Sequence, residues 1–329
     1  MKIVCYGVYD TEVPFFHKEN KFGYELELVT RLMNNENIDR AKDAEAVMIR
    51  GACDARAENI KKLHNFGVKY ILTRTAGYNH VDLDAAKKYG IRVARVPAYS
   101  TNAIGELAVT LAMMLLRHTA EMVMQTSTKD FRVTNSMFSK EVRNCTVGIL
   151  GVGKIGLTTA KLFKGLGAKV VGYDIYQSDD AKEVLEFLPL DEMLMVSDIV
   201  SMHIPYIKGE NDCIINKDFL LKMKDDAILV NASRGDLCDD EAVLEAILNN
   251  TLGGFATDVF TREVEFFFKD MTDKPLPIPA IEKLIDCYPK VLVTPHIGAY
   301  TDEAVTNMIG ISYENLNDIL TTGTCVNEL

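Results

Sequence analysis

The chain has 329 residues, of which 48% are hydrophobic and 25% are charged, which is the composition of an ordinary soluble globular protein. This length predicts two domains. The net charge of −11 and the isoelectric point of about 5.1 argue against a basic face for nucleic acid and against binding to an anionic membrane. A small anionic substrate would need a local cationic pocket.

The seven cysteines are scattered along the chain and form no C-x-x-C pair. This pattern favours reduced thiols in the cytoplasm, and it predicts neither a disulfide framework nor a metal site. The first twelve residues form a short apolar run that soon meets acidic residues, so we expect no signal peptide. The longest uncharged runs, of about a dozen residues, fall short of the roughly 20 needed to cross a bilayer.

Residues 1–98 alternate short apolar runs with helical patterns. We expect strands at Ile3–Tyr6, Tyr24–Val29, Ala46–Ile49, Tyr70–Thr73 and Ile91–Ala94, with the clearest helices at Arg56–Phe66 and Leu83–Tyr89. Such alternation predicts a doubly wound parallel sheet. This part of the chain has no G-x-G-x-x-G, so we do not expect it to bind a nucleotide.

A domain boundary is expected at Pro97, which ends the first sheet pattern. The helix predicted next, Asn102–Val123, has an apolar centre that indicates a buried element between domains or subunits. We therefore predict a substrate domain of residues 1–99 plus 299–329 and a nucleotide-binding domain of residues 100–298.

The most informative stretch is Thr146–Asp174. An apolar strand leads into G-x-G-x-x-G, an amphipathic helix follows, and a second strand ends at an aspartate, which is the order typical of a dinucleotide-binding turn. Glycines permit close approach of a pyrophosphate, and a helix N-terminus offers free N–H groups. The residues expected to contact the pyrophosphate are Gly151, Gly153, Lys154, Ile155 and Gly156.

Asp174 distinguishes between the two nicotinamide cofactors. Its carboxylate can accept hydrogen bonds from an adenosine ribose, and it would repel a 2′-phosphate. Residues 175–177 are Ile, Tyr and Gln, so no cation follows that could hold such a phosphate. The stretch therefore predicts NAD rather than NADP.

The alternation of strands and helices continues towards the C-terminus. Strands are expected at Asp198–Met202, Ala227–Asn231, Phe255–Val259 and Val291–Thr294, and helices at Lys217–Met223, Asp239–Asn249 and from Thr301 to about Leu320. We expect the last helix to return to the first domain. Segment Thr261–Lys290 is expected to be irregular. Within it, Glu265–Pro279 is expected to form a lid, a subunit contact or a loop tucked onto the domain surface.

Four polar residues follow the predicted strands of the nucleotide domain: Arg234, Asp258, Glu263 and His296. In open α/β sheets, ligands bind beyond the carboxyl ends of the strands. Each residue alone has an ordinary structural alternative, such as a helix-capping arginine or a core histidine. Their common placement predicts a site.

The sequence resembles the D-2-hydroxyacid dehydrogenases over essentially its whole length. Besides the glycine turn, the matching blocks are TRTAGYNHVD (73–82), VPAYSTNAIGE (96–106), NASRGDLCD (231–239), GFATDVF (254–260) and VTPHIGAYT (293–301). Within the family it most resembles the branch of D-lactate dehydrogenase, (R)-2-hydroxyglutarate dehydrogenase and the VanH-type enzymes. The resemblance implies an α/β fold of two doubly wound parallel-sheet domains, a flavodoxin-like catalytic domain and a Rossmann NAD-binding domain, and a homodimer.

The resemblance also implies a catalytic set of Arg234, Glu263 and His296. His296 would exchange a proton with the ketone oxygen of a 2-oxoacid, and Glu263 would orient its ring. Arg234 would grip the substrate carboxylate and polarise the ketone. Backbone N–H groups of Ala76 and Gly77 would hold the same carboxylate.

Further cofactor contacts implied by the resemblance are His203, Pro205, Ala232 and Asp258. The carboxylate of Asp258 would accept a hydrogen bond from the nicotinamide carboxamide, and its alternative is a carboxylate in a turn at the strand end. His80 lies beside the substrate loop, and its role stays open.

The choice of substrate depends on residues outside the glycine turn. Tyr99 matches a tyrosine that lines the substrate pocket of D-lactate dehydrogenases, and we place Tyr300 in the same pocket. Ala299 stands where those enzymes usually carry an aromatic residue, which leaves room for a longer substrate. Arg50 can clamp a second carboxylate, as in 2-oxoglutarate, or form a salt bridge facing solvent. The (R)-2-hydroxyglutarate dehydrogenases carry an arginine where this chain has Ala98.

We therefore expect an NAD-dependent enzyme that acts on 2-oxoglutarate, with pyruvate and D-lactate as the alternative. A different class with the same fold is the NADH-sensing corepressors, and the complete catalytic set argues against it. Formate dehydrogenases of this fold have Gln in place of Glu263.

Overall fold

The computed structural model describes all 329 residues and contains twelve β-strands and twelve α-helices, which alternate along most of the chain. They divide into two units, Met1–Ser100 with Tyr300–Leu329 and Thr101–Ala299. Both boundaries lie one residue later than the sequence predicts.

The strands are β1 (Lys2–Tyr6), β2 (Glu25–Val29), β3 (Ala46–Ile49), β4 (Tyr70–Thr73), β5 (Arg92–Arg95), β6 (Thr146–Leu150), β7 (Lys169–Tyr173), β8 (Glu186–Phe187), β9 (Ile199–Met202), β10 (Ile228–Asn231), β11 (Gly254–Thr257) and β12 (Val291–Val293). The helices are α1 (Val13–Glu19), α2 (Ala57–Asn65), α3 (Leu83–Tyr89), α4 (Thr101–Leu116), α5 (Thr119–Ser127), α6 (Lys154–Gly165), α7 (Asp179–Lys182), α8 (Leu190–Val196), α9 (Lys217–Leu220), α10 (Asp240–Leu248), α11 (Pro279–Asp286) and α12 (Asp302–Thr322). The predicted strands agree with these bounds to within two residues.

The first unit contains a parallel sheet of five strands in the order β2-β1-β3-β4-β5. This is the flavodoxin-like order, in which the strand order reverses beside the first strand. The central strands β3 and β4 carry no charged residue, because both faces of a central parallel strand are covered. Helix α12 belongs to this unit and packs against α1, β4 and β5.

The second unit contains a parallel sheet of seven strands in the order β12-β11-β10-β9-β6-β7-β8. The first strand of this unit, β6, lies between β7 and β9, so the strand order reverses there as in Rossmann folds. The predicted fold class of two doubly wound parallel sheets is therefore confirmed.

The helix predicted at Asn102–Val123 is wrong in its length. The chain forms two helices there, α4 and α5, which are bent by 66° at the break. His118 at the break has a left-handed backbone with φ of 49°. α4 is buried against α6, β10 and β11 within the second unit, whereas α5 buries only Ala120. The buried face of α4 ends at Leu116, and the chain changes direction just after it. No Gly or Pro marks this point in the sequence.

Segment Thr261–Lys290 contains helix α11, which the sequence analysis did not predict. Ile281 and Leu284 of this helix are fully buried. Phe266 and Phe267 are 5% and 7% exposed and belong to the core of the second unit. These side chains tie the segment to the surface of its own unit, as the alternative of a tucked loop predicts.

All seven cysteines are free thiols. No group of three or more His, Cys, Asp or Glu side chains is arranged to hold a metal ion. By length and composition no single helix could cross a membrane, and α4 with α5 meet that test only as a bent pair.

A buried ion pair joins two strand-end loops of the first unit. Arg74 and Glu12 are each 2% exposed, and Nη1 of the arginine lies 2.8 Å from Oε1 of the glutamate. Nη2 of Arg74 also donates to the carbonyl of Gly7 (2.7 Å), and Glu12 accepts the N–H of Tyr9 (2.9 Å). The ion pair therefore holds the loop after β1 against the loop after β4.

Replacing Arg74 by Met should lower the free energy of unfolding by about 3–5 kcal/mol, because Glu12 would remain buried without its counter-ion. The matched control is Arg56→Met, since Arg56 pairs with Asp54 at the surface and its side chain is 80% exposed. That change should cost less than about 1 kcal/mol. Urea unfolding followed by circular dichroism measures both, and equal losses in the two variants would contradict a dominant role for the buried pair.

Candidate active site

The turn between β6 and α6 requires glycine at two positions. Gly151 has φ of 91°, and a β-carbon there would lie 2.7 Å from the backbone nitrogen of Ile204. A β-carbon on Gly156 would lie 2.0 Å from the carbonyl oxygen of Gly151. Any side chain at either position would push the turn away from β6 or from the neighbouring strand-end loop.

Gly153 differs from these two glycines, because nothing lies within 4 Å of where its β-carbon would be. The space over this residue is open, which suits close approach of a ligand rather than of the protein. α6 begins at the next residue, Lys154, and no side chain caps it. The N–H groups of its first turn are therefore available to bind an anion such as a pyrophosphate.

Asp174 lies just beyond β7, and both of its oxygens are held by backbone donors. Oδ2 accepts the N–H of Val152 (2.6 Å) and Oδ1 accepts the N–H of Tyr176 (2.9 Å). Ile175 and Tyr176 are 96% and 76% exposed, so an adenosine could lie against uncharged side chains. The glycine turn, its open face and this fixed carboxylate fit NAD.

The loops after β9 and β10 carry three further residues with predicted cofactor contacts: His203, Pro205 and Ala232. Nε2 of His203 lies 2.9 Å from Oγ of Ser201, and burial lowers the pKa of His203 to about 4. The ring is therefore neutral at pH 7. The hydroxyl of Ser233 donates to the carbonyl of Ile204 (2.5 Å), which joins the two loops.

Arg234 follows β10 in an extended conformation, with φ of −142° and ψ of 140°. Its carbonyl accepts a hydrogen bond from Nδ2 of Asn231 (2.9 Å), and its Nη1 donates to the carbonyl of Ser233 (2.7 Å). The next residue, Gly235, packs directly on the backbone of Phe260. The arginine is therefore held by its backbone carbonyl and by its guanidinium, beside the loop after β11.

His296 and Glu263 form the closest acid–imidazole pair of the second unit. Nδ1 of His296 lies 2.5 Å from Oε1 of Glu263, and Oε2 of Glu263 accepts the N–H of Phe260 (3.1 Å). The carboxylate thus holds the imidazole by Nδ1, and Nε2 makes no hydrogen bond within the protein. The His296 side chain is 39% exposed and the Glu263 side chain is 19% exposed, so the ring remains accessible.

Asp258 has the structural role that its sequence alternative predicts, as a carboxylate that organises a turn at a strand end. Its carboxylate accepts the hydroxyl of Thr294 (2.6 Å) and the N–H groups of Ile297 and Gly298 (both 2.9 Å). Asp258 is 3% exposed, and burial raises its pKa despite these three donors. The buried carboxylate holds the loop that carries His296, which itself has φ of 53°.

In the first unit, the predicted carboxylate-binding loop follows β4. The carbonyl of Ala76 accepts Nη1 of Arg95 (3.0 Å), and the carbonyl of Gly77 accepts the hydroxyl of Thr75 (2.7 Å). The N–H groups of Ala76 and Gly77 donate to no acceptor of the protein. A loop with engaged carbonyls and unengaged N–H groups is suited to bind an anion.

Arg50 lies at the end of β3, beside two residues that the sequence analysis did not single out, Tyr9 and Gly7. The guanidinium carbon of Arg50 is 4.6 Å from the centre of the Tyr9 ring. Gly7 has φ of 68°, and a β-carbon there would lie 2.9 Å from Cδ of Arg50. Tyr9 is three residues past β1, and only the rule that ligands bind at strand ends could have drawn attention to it.

The remaining residues with predicted substrate contacts are Tyr99, Ala299 and Tyr300. The carbonyl of Tyr99 accepts Nδ2 of Asn307 (2.7 Å). The Tyr300 ring packs edge-on against Tyr9, with 5.3 Å between ring centres, and its hydroxyl is hydrogen-bonded to Thr11. Ala299 is the last residue of the second unit and Tyr300 begins the return to the first. Arg50, Tyr9 and Tyr300 therefore form one contiguous group in the first unit.

Residues 109–298 match the family model described as D-isomer specific 2-hydroxyacid dehydrogenase, NAD binding domain. The chain is 36% identical to an aromatic 2-oxoacid reductase of Clostridium sporogenes over 100% of this chain and 99% of that one. It is 37% identical to a D-lactate dehydrogenase of Lactiplantibacillus plantarum, over 98% and 97% of the two chains.

Solved structures that are similar to this chain over its whole length include two dehydrogenases. A D-lactate dehydrogenase of Treponema pallidum is similar with a TM-score of 0.90 and 34% identity, over 100% of this chain and 99% of that one. A D-2-hydroxyisocaproate dehydrogenase is similar with a TM-score of 0.89 and 33% identity, over the same shares. With its glycine turn, Asp174 and Rossmann sheet, the chain belongs to the D-2-hydroxyacid dehydrogenase family and is an NAD-dependent oxidoreductase.

Proposed function

We propose that the protein interconverts a 2-oxoacid and its (R)-2-hydroxyacid, with Arg234, Glu263 and His296 as the catalytic residues. The observation that carries this proposal is the pair of His296 and Glu263, in which a carboxylate holds one imidazole nitrogen and leaves the other available. Bound NADH supplies the hydride that reduces the carbonyl carbon. The side chains must then provide the proton and bind the charges of the substrate.

His296 is proposed as the proton donor in reduction and the acceptor in oxidation. Because Nδ1 is directed to Glu263, Nε2 is the nitrogen that can reach a ketone oxygen. The negative charge of Glu263 stabilises the imidazolium, which is the form that donates a proton. Asp258 supports this role by holding the loop on which His296 lies, and it remains a proposed contact of the nicotinamide carboxamide.

Arg234 is proposed to bind the substrate carboxylate and to polarise the ketone oxygen. A guanidinium can donate two parallel hydrogen bonds to a carboxylate, and the anchored side chain needs little reorganisation to do so. The N–H groups of Ala76 and Gly77 are proposed as further donors to this carboxylate. Their lack of acceptors in the protein supports the assignment.

Replacing Glu263 by Gln should lower kcat for 2-oxoacid reduction at pH 7 by roughly 100-fold, the order of a general acid–base contribution. The amide can accept a hydrogen bond from Nδ1, but it cannot stabilise the imidazolium. His296→Asn should lower kcat at least as much. The matched control is Glu265→Gln, because Glu265 lies two residues away and pairs with exposed Arg262. NADH oxidation followed by absorbance measures all three, and an unchanged kcat in Glu263→Gln would refute the role of the pair.

For the substrate, we propose a 2-oxoacid whose side chain ends in a carboxylate, with 2-oxoglutarate as the leading candidate. The support is Arg50, a guanidinium at the end of β3 that lies over the Tyr9 ring. The aromatic face orients the guanidinium and reduces its hydration, which favours an ion pair with a second carboxylate. The small side chain of Ala299 leaves room for a longer substrate.

Two other substrates are supported by relatives. One relative is named D-lactate dehydrogenase, which favours pyruvate as the substrate. Tyr99 supports this alternative, because it matches the tyrosine that lines the substrate pocket of such enzymes. The name aromatic 2-oxoacid reductase of another favours a substrate such as phenylpyruvate. The rings of Tyr9 and Tyr300 offer an aromatic substrate a stacking surface.

Replacing Arg50 by Gln should raise KM for 2-oxoglutarate about 10- to 100-fold, the loss expected for a hydrogen bond to a charged group. KM for pyruvate and for phenylpyruvate should change less than about twofold, because neither carries a second carboxylate. Steady-state rates with NADH and each 2-oxoacid measure this. The matched control is Arg56→Gln, since Arg56 lies at the surface of the same unit.

Equal changes in KM for all three acids would refute the proposal that Arg50 binds a second carboxylate of the substrate. If the wild-type protein prefers pyruvate or phenylpyruvate by kcat/KM, the corresponding alternative replaces 2-oxoglutarate.

We propose a homodimer in which residues 119–140 contribute to the interface. Large apolar side chains are exposed in this short segment: Val123 is 61%, Phe131 76%, Val133 88% and Phe138 90% exposed. Exposed apolar surface of this kind can mark a protein–protein contact.

We also propose the cytoplasm as the compartment of the protein, because all seven cysteines are free thiols.

The double variant Phe131→Asp, Phe138→Asp should be monomeric where the wild-type protein is dimeric, because two charges would be buried in the interface. Light scattering after size-exclusion chromatography measures the mass of each. The matched control is Val326→Asp, since Val326 is 94% exposed outside this segment. A wild-type mass equal to one chain, or a dimer that survives both changes, would exclude this interface.

A further inference from the structure

His80, Thr73 and Thr75 form a continuous chain of hydrogen bonds beneath the predicted carboxylate-binding loop. Nε2 of His80 lies 3.0 Å from Oγ1 of Thr73, which lies 2.7 Å from Oγ1 of Thr75. The hydroxyl of Thr75 donates to the carbonyl of Gly77 (2.7 Å). The histidine is thereby connected through two hydroxyls to the backbone of the loop.

The donor and acceptor of each hydrogen bond in this series follow from the last bond, between Thr75 and Gly77. A carbonyl oxygen only accepts, so the one hydroxyl proton of Thr75 is used on Gly77. Thr75 must then accept the proton of Thr73, and Thr73 must accept from the histidine. His80 therefore carries its proton on Nε2. Burial lowers the pKa of His80 to about 4, so at pH 7 the ring is neutral and has a single N–H to donate.

Each carbonyl of the loop controls the N–H on the other side of the same peptide plane, because the peptide unit is rigid. The N–H of Val96 binds the carbonyl of Thr75 (3.1 Å) and so orients the N–H of Ala76. Nη1 of Arg95 binds the carbonyl of Ala76 and so orients the N–H of Gly77.

The hydroxyl of Thr75 completes the pattern at the next peptide. By binding the carbonyl of Gly77, it orients the N–H of Tyr78. None of the N–H groups of Ala76, Gly77 and Tyr78 donates to an acceptor of the protein. Three successive donors are thus held by bonds to the carbonyls before them, and the last of the three depends on His80.

We infer that His80 is a positioning residue for binding of the substrate carboxylate, acting through Thr73 and Thr75 on the Gly77–Tyr78 peptide. The inference rests on the proposed function, since it assumes that this loop binds the carboxylate of a 2-oxoacid. It adds the N–H of Tyr78 as a third backbone donor. His80 itself touches neither the substrate nor the reacting atoms.

The first experiment compares His80→Leu, His80→Gln and Thr75→Val with the wild-type protein. KM for the preferred 2-oxoacid and the inhibition constant of oxamate, a carboxylate inhibitor, should both rise about tenfold in His80→Leu and Thr75→Val, the loss of roughly one hydrogen bond. kcat and KM for NADH should change less than about twofold. His80→Gln should restore most of the affinity, because its amide can still donate to Thr73.

Two further variants sharpen this experiment. In the double variant His80→Leu, Thr75→Val, KM should be no higher than in Thr75→Val alone, because both residues act through one chain. The matched control is His17→Leu, since His17 is an exposed histidine of the same unit. An unchanged oxamate constant in His80→Leu, or a fall in kcat together with a rise in KM for NADH, would overturn the inference.

The second experiment needs no variant to be active. In protein labelled with ¹⁵N-histidine, the signal of His80 at pH 7, assigned by its loss in His80→Gln, should show a proton on Nε2 and none on Nδ1. A proton on Nδ1 would overturn the direction of the chain. If the wild-type protein reduces no 2-oxoacid, the proposed function fails, whereas the spectrum still tests the hydrogen-bonded chain.

Discussion

The loops that carry the candidate site all follow the carboxyl ends of parallel strands. Within such a sheet nearly every backbone donor and acceptor is used in strand pairing, so the loops beyond the strand ends are where polar groups can meet a ligand. Both units present side chains and backbone N–H groups at this edge. The second presents the side chains of Arg234 and His296 and the first turn of α6. The first presents the N–H groups of Ala76 and Gly77 and the side chain of Arg50.

Carboxylates that accept backbone N–H groups hold these loops in place, and of these Glu12 and Asp258 are buried while Glu263 is half-buried. Glu12, Asp258 and Glu263 each accept backbone N–H groups of residues at strand ends. Burial of a charge is costly unless hydrogen bonds or a counter-ion offset it, so each carboxylate stabilises only the loop conformation that brings its donors to it. This explains how the left-handed backbone of His296 is maintained. Each of these loops is therefore largely organised before a substrate binds.

The sequence was most informative where a feature depends on a local pattern. The glycine turn and Asp174 lie within one strand–helix–strand unit, so their spacing alone could predict the cofactor. The break at His118 could not be predicted, because it depends on where the buried face of α4 ends. The bonds of Asp258 join residues about 40 positions apart, and no local pattern reports them.

The close approach of Gly7 and Arg50 links two positions that are far apart in the sequence. At φ of 68° a residue other than glycine at position 7 is strained. Its β-carbon would also overlap Cδ of Arg50 and Cδ2 of Leu32. If position 7 acquired a side chain during evolution, a long residue at position 50 would be disfavoured from then on. Glycine at position 7 therefore leaves room for a long side chain at position 50, where the second carboxylate of the substrate is proposed to bind.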